Sequence, residues 1–447
     1  MAELLLGSLY APAPVPPLAE WKQLWSVWDL AMTKMIPPNA LMEQPIPLRN
    51  PLLSYLGHMP TFEDIHLTRA TNSKPTEPAY YHQIFERGID PDVDDPSKFH
   101  DHSELPDVFL CLEDILQYHE HVKARIMALY ESEKPYTDRC IGRALWIDFP
   151  NILPPPDVPR PDFAKLAKEA TSQRLQNPWI EEPKQTVNIG YHDPESDDGP
   201  NRFFAWDNER EPYEITVPPI KAQVRPVSNG EYAKYLVDVK EPQIPATWSK
   251  TRDARSDEEY TTFVARHSIK TVWGPVPLSQ ALDWPVVASF DEVERYAQWA
   301  GARLPTLHEL RSIHEHVERR RKALDSKVNH QFHTDPKAIF VDLSDTNSGF
   351  QNFHPMGITH KDDLCGLGDT GGAADSTRTL FAPQPGFKPM DIYPGYSADF
   401  MDQKHLAVVG GSWALHPRIA GRKSFLNWWQ KKYLGSWVPF RLVRDIE

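Results

Sequence analysis

Proline sets the first limit on what this chain can fold into. It supplies 44 of 447 residues, nearly one position in ten and about twice the usual share. Each proline removes a backbone donor and fixes φ, so regular elements are confined to the stretches between proline clusters. Much of the molecule is therefore expected as loop and irregular coil on a packed scaffold. That scaffold has material for a core: the chain is 40% hydrophobic and carries 14 tryptophans, which argues against wholesale disorder. The length suits two or three domains rather than one.

Charge and cysteine usage exclude several classes. Lys plus Arg is 48 and Asp plus Glu is 62, a net charge of −14, whereas neutralising phosphates needs clustered cations. No nucleic-acid partner is expected. No apolar run approaches the roughly 18–20 residues that cross a bilayer, and Met1 to Leu6 has an acid, Glu3, where a signal peptide is basic. Three cysteines, Cys111, Cys140 and Cys365, cannot build a disulfide framework and suit a reducing compartment. A cytoplasmic protein without a membrane partner is expected.

The periodicity divides the chain in two. After an N-terminal tail (1–17), Leu18 to Ile36 reads as an amphipathic helix with Trp21, Leu24, Trp25, Trp28 and Met32 at helical spacing, stopped by Pro37-Pro38. A second helix from about Leu48 is expected to break at Pro60 and resume through Phe62, Ile65, His66 and Leu67. A third covers 110–131, and a fourth starts near Asp138 but is cut short by Pro150 and Pro154-Pro155-Pro156. Residues 18–150 thus read as a helical bundle with a truncated last helix, followed by a Pro-rich linker (151–178). From 179 to 447 an α+β domain is expected. It has strands at Thr186–Gly190, Tyr213–Val217, Ala407–Gly411, Phe425–Trp428 and Phe440–Val443. Its helices are Asn229–Val239, Phe290–Ala300 and one opening after Thr306 with Glu309 as a capping box. The stretch from that helix to about residue 385 reads as long loops.

Several motifs in order carry a family resemblance over nearly the whole chain. Val409-Gly410-Gly411-Ser412-Trp413, Gly421-Arg422 and Phe440-Arg441-Leu442-Val443-Arg444-Asp445 resemble the close of the formylglycine-generating-enzyme-like fold, a C-type-lectin-related architecture. Tyr296 to Thr306, reading YAQWAGARLPT, is similar to that fold's second signature, and Tyr55 to Phe62 resembles the start of a DinB-type four-helix bundle. Trp206-Asp207-Asn208-Glu209 and Gly274-Pro275-Val276-Pro277-Leu278 strengthen the match. Together they resemble the ergothioneine-type sulfoxide synthases. That resemblance implies an iron(II)- and O₂-dependent enzyme that joins hercynine (trimethylhistidine) to a cysteine-type thiol. It also implies a separate histidine methyltransferase upstream. Carried over by motif, His58 matches the first of three histidine iron ligands and Tyr393 the catalytic tyrosine, a phenol able to donate a proton or hydrogen bond. Tyr396 matches a substrate contact, and Asn427-Trp428 a substrate-binding pair on the hercynine side.

Two departures oppose a working synthase. The family's other two ligands form a His-x-x-x-His on the last bundle helix, and no two of the 18 histidines here are four residues apart. Gly372-Ala373-Ala374-Asp375-Ser376-Thr377 stands where the family has a Trp-Glu-Trp core, a loss of aromatic burial expected to cost several kcal/mol if nothing replaces it. The alternative reading is a catalytically inactive relative that binds a small molecule or a partner protein.

The bland readings are open beside these. His58 alone reads as a core or helix-terminal histidine, and Tyr393 and Tyr396 as packing aromatics in a Pro/Gly loop. His119/His121 and His314/His316, at i, i+2, point apart on a helix and are expected on solvated faces. His100/His102 reads as part of a solvated acidic loop; His330/His333 is a further close pair. Gly410-Gly411 reads as a structural turn, and Arg319 to Lys322 as a solvated basic helix end. Formylglycine generation itself needs paired cysteines near the C-terminus, and Cys365 stands alone.

Overall fold

The computed structural model describes residues 15–43, 51–86, 110–148, 159–193, 204–251, 255, 257–325, 340–341, 343, 346–349, 351–359, 364–415, 417–433 and 438–446. His100/His102 and His330/His333 lie outside them.

The bundle follows its apolar stripes. Helix α1 (Leu18–Asp29) buries Trp21, Leu24 and Trp25 and passes into a π-helical turn, Leu30–Met35, before the prolines. Helix α2 (Leu52–Thr71) runs unbroken through Pro60, against the expected interruption. A mid-helix proline costs about 3 kcal/mol. Here it is itself buried, and Leu53, Leu56, Ile65 and Leu67 anchor the helix on both sides of it. Asn72, in the left-handed conformation at φ 49°, ends the helix. Helix α3 (Leu112–Glu131) turns Ile115, Tyr118, Val122 and Ile126 inward. Helix α4 (Arg139–Asp148) is capped by Asp138, whose carboxylate accepts from the Cys140 and Ile141 amides. Fully buried Asp64 staples these parts together. It accepts from the Thr76 amide at 2.9 Å, sits 2.6 Å from His82 Nε2, and pairs with Arg125 at 2.5 Å. Burial alone would raise its pKa, but these donors outweigh it and hold the carboxyl below its ordinary value.

Within the stretch expected as linker, α5 (Phe163–Ser172) forms on an Asp162 cap and sets Phe163 edge-on against the stacked pair Trp284 and His354. The domain beyond is built of small antiparallel sheets. Strand β1 (Trp179–Glu182) pairs with β4 (Ile220–Gln223), and β2 (Gln185–Ile189) pairs with β3 (Tyr213–Val217). Helices α6 (Asn229–Val239) and α7 (Tyr260–Arg266) flank a sheet of β5 (Trp248–Lys250), β6 (His267–Thr271) and β7 (Gly274–Pro277). Helix α8 (Phe290–Trp299) and helix α9 (Leu307–Asp325) follow, and the Thr306–Glu309 capping pair forms as expected. Strands β8 (Asp375–Leu380), β9 (His405–Val409) and β10 (Leu426–Gln430) make another sheet. Strand β11 (Val443–Asp445) returns to β4, with Val443 opposite Ala222, and closes the domain.

Four further expectations change. Strand β8 forms inside the stretch to residue 385 expected as long loops, its edge taken up by β9. The last strand runs Val443–Asp445 and shares only Val443 with the expected Phe440–Val443, because Phe440, Arg441 and Leu442 are all fully buried and do not alternate. His119 and His314 are buried rather than solvated, since each falls on its helix's apolar stripe, beside Ile115 and Val122 or Ile313 and Val317. Burial pushes the His119 imidazole down to about 3. The basic run is not a free helix end either: α9 continues to Asp325, Arg319 pairs with Glu315 at 2.9 Å, and Arg321 reaches Asp369 at 2.5 Å.

Candidate functional site

One face of α2 meets one loop of the C-terminal domain. His58, Phe62, His66 and Arg69 recur at helical spacing and form a single stripe. Gly57, one residue before the stripe, lets the Phe85 ring lie against the helix; a Cβ there would come within 2.3 Å of it. That approach puts the Phe85 carbonyl 2.7 Å from His58 Nδ1. The ring nitrogen donates to the carbonyl, which leaves the Nε2 lone pair as the imidazole's free valence. Burial is the main cause of a lowered His58 pKa, opposed by the Phe85 bond and aided by nearby His66, so the ring is neutral at pH 7.

The facing loop runs from Met390 to Ser397. The Tyr393 ring stands edge-on to Phe62 and 5.2 Å from fully buried His66, centroid to centroid. Tyr396 stacks on Trp206 at 4.3 Å and meets Trp428 edge-on at 5.3 Å, and Trp428 in turn stacks on Phe381. Burial pushes the Tyr396 phenol well above its ordinary value, helped by the charges of Asp207 and Glu209. The loop is held from below by Asp207, which accepts from Ser397 Oγ at 2.5 Å and whose carboxyl burial pushes up to about 6. Next to it, fully buried Glu209 receives Arg422 Nε at 2.5 Å, Ser424 Oγ at 2.6 Å and the Trp206 amide at 2.8 Å. Polar groups thus fix an aromatic wall from behind while its faces stay apolar.

Comparison with known proteins gives this arrangement a lineage. Residues 186–446 match the sulfatase-modifying factor enzyme 1-like domain. The chain belongs to that family. Ergothioneine biosynthesis protein 1 of Neurospora crassa is 39% identical over 521 aligned residues, which take in 100% of this chain and 60% of the relative. The protein of the same name from Schizosaccharomyces pombe is 30% identical, over 97% of this chain and 56% of its own. Hercynine oxygenase of Mycobacterium tuberculosis is 32% identical over 255 residues, 54% of this chain and 56% of its own. The chain therefore spans about three-fifths of the length of the fungal relatives it matches.

Within this family member, the structure brings Tyr393, Tyr396 and Trp428 together, and His58 is joined to them through the Phe62 ring, 5.7 Å from the imidazole and 5.2 Å from Tyr393. Asn427 is set apart from them. Alternation along β10 puts Trp428 on the face packed with Leu426 and Ala407, and Asn427 on the opposite face with Val408. Gly410, at φ +85°, and Gly411, packed against Ala420, serve as the structural turn expected of them.

Iron does not fit the described residues. Among them, no group of three or more His, Cys, Asp or Glu side chains is placed to hold a metal ion. The other imidazole on the His58 stripe is His66, eight residues on. At about 1.5 Å of rise per residue, some 12 Å of helix axis separates the two, too far to share one ion. Sequence reasoning singled out neither His66, Phe62, Arg69 nor Asp207 for the site. The i, i+4 recurrence of 58, 62 and 66 was the available signal, but it reads equally as core.

Proposed function

We propose that this chain serves ergothioneine biosynthesis by holding hercynine against the Tyr393, Tyr396 and Trp428 wall. The observation that carries the reading is the convergence of that wall with the His58–Phe62–His66 stripe, in a chain similar along its length to fungal proteins named for this pathway. Hercynine carries a quaternary trimethylammonium and an imidazole. Stacked tyrosine and tryptophan faces attract such a cation through their quadrupoles, by about 0.5–2 kcal/mol per ring. Neutral His58 presents Nε2 as an acceptor, and the Tyr393 phenol, on the far side of Phe62 in the chain of ring contacts, is a donor. The hercynine would be made by a histidine methyltransferase in the same, cytoplasmic, compartment. Among the described residues no helix is long and apolar enough to cross a membrane.

Calorimetric titration of hercynine, with histidine as the unmethylated control, tests this. Binding of hercynine that weakens at least ten-fold in both Tyr396→Leu and Trp428→Leu supports the assignment. Absence of binding at millimolar hercynine removes it. The name of the mycobacterial relative, Hercynine oxygenase, favours a second reading, the full iron(II)- and O₂-dependent sulfoxide synthase. It requires metal ligands from outside the described residues or from a second chain. An oxygen electrode decides it: uptake that depends on hercynine, on cysteine or γ-glutamylcysteine, and on iron(II) together, and that His58→Ala abolishes, establishes turnover.

A further inference from the structure

We infer that Arg69 is the positioning residue of Tyr393, a clasp that ties the tyrosine loop to the same short segment that orients His58. This deepens the reading above and rests on it for the role of Tyr393. The geometry forms a closed circuit. Arg69 Nη1 donates to the Ile392 carbonyl at 2.9 Å, the peptide that leads into Tyr393. Its Nη2 donates to Glu86 Oε1 at 3.0 Å, and Glu86 directly follows Phe85, whose carbonyl holds His58. The guanidinium carbon also lies 5.9 Å from the centre of the Tyr393 ring. Phe62, edge-on, and His66 also pack against that ring, from the same helix as Arg69 and His58. One planar cation thus fixes the loop backbone, the ring face and the Phe85–Glu86 turn at once.

Only arginine can do this. Its fork directs two donors in fixed divergent directions while the flat face remains available to a ring; a lysine ammonium on a flexible stem can satisfy one of the two acceptors. Both ends of the clasp are about one-third exposed, Arg69 at 37% and Glu86 at 30% of the side chain. An ion pair so exposed contributes little to stability. Its consequence is where the tyrosine sits rather than how stable the fold is.

The test reads Tyr393 itself. A 3-fluorotyrosine placed at position 393 gives one ¹⁹F resonance in the full chain, recorded without metal or substrate. In Arg69→Gln the resonance is expected to shift and broaden while the thermal midpoint moves by less than about 2 °C. Glu86→Gln, which leaves the Ile392 bond intact, produces a smaller shift in the same direction, and Arg69→Lys fails to restore the wild-type line. Arg125→Gln is the control for general loosening, because it breaks the Asp64 staple. It lowers the midpoint and leaves the resonance in place. An unchanged resonance in folded Arg69→Gln overturns the inference, as does a line in Arg69→Lys identical to that of the wild type. Should Arg69→Gln not fold, an unshifted line in Glu86→Ala, which removes the acceptor altogether, overturns it equally. None of these readouts depends on hercynine, so the clasp and the proposed ligand fail separately.

Discussion

At the scale of single residues, the site depends on one absent side chain. Glycine in a helix interior costs about 1 kcal/mol against alanine, so Gly57 is locally unfavourable in α2. Its space is filled by the Phe85 ring, with contacts of 2.3 to 2.6 Å to a Cβ built there. Gly57→Ala should therefore destabilise the chain by about 1–3 kcal/mol in urea unfolding, the usual range for overpacking, despite alanine's better propensity. The same substitution pushes Phe85 outward and takes the His58 acceptor with it. A neutral or stabilising result would mean that the ring is free to move and does not fix the imidazole. His58 was legible as a candidate only because a family motif surrounds it. Nothing local distinguishes its 2.7 Å bond to a carbonyl 27 residues away, and the partners that matter most, Tyr393 and Arg69, are joined through a loop more than 300 residues later.

Elements show a second kind of device, a carboxyl buried between strand and helix. Glu182, the last residue of β1, is 1% exposed, and His316 Nδ1 of α9 lies 3.2 Å away, with Arg320 and Arg441 as the nearby cations. Burial pushes its carboxyl up from 4.5 to about 7, the two arginines only partly opposing this. The folded chain therefore keeps a proton that the unfolded chain releases, so this group's contribution to stability is present below pH 4.5 and is lost as pH rises toward 7. Glu182→Gln removes the titration. It should leave stability unchanged at pH 4 and raise it by up to about 3 kcal/mol at pH 8, measured by denaturant unfolding at both values. An equal change at both pH values would show that the carboxyl does not titrate there. The elements themselves were legible to different degrees, for physical reasons. Helix α6 matches its predicted span residue for residue because a Ser228–Glu231 capping box marks its start. Strands β5 to β7 were unreadable, being three to five residues long, with Pro275 and Pro277 inside β7. An edge strand tolerates those prolines because it pairs on one side only, with β6. Pro60 misled for the converse reason: tertiary burial outweighed a local penalty that the sequence states plainly.

Across the whole molecule, two cores meet through a third and much smaller one. The bundle buries Trp21, Leu56, Tyr118, Val122 and Ile126 together, and the C-terminal domain gathers Tyr232, Trp248, Trp284, Tyr296 and Phe440 in a separate cluster. Where Phe62 of α2 meets the C-terminal domain, Val15, Phe204, Trp206, Met390, Tyr393, Ile419 and Phe425 form a joint, with Phe62 and Tyr396 packed against it. Bodies with their own cores and a modest shared interface need not unfold as one. Scanning calorimetry should therefore resolve two transitions, with a measured enthalpy exceeding the van't Hoff value. Phe62→Ala, which deletes the ring lying 4.2 Å from His66 and 5.2 Å from Tyr393, should move the transitions further apart without altering the more stable one. A ligand seated at the joint and touching both bodies has the opposite effect. At a hundred-fold excess over its dissociation constant it adds about 2.7 kcal/mol to whatever state binds it, and that state requires both bodies folded. Saturating hercynine should then draw the lower transition toward the upper one in the wild-type chain and do so less in Phe62→Ala. A single transition with matching enthalpies would show the joint to be strong enough to make one cooperative unit. Two transitions that hercynine raises only in the C-terminal body would place the ligand on the aromatic wall alone, with the His58 helix as a bystander.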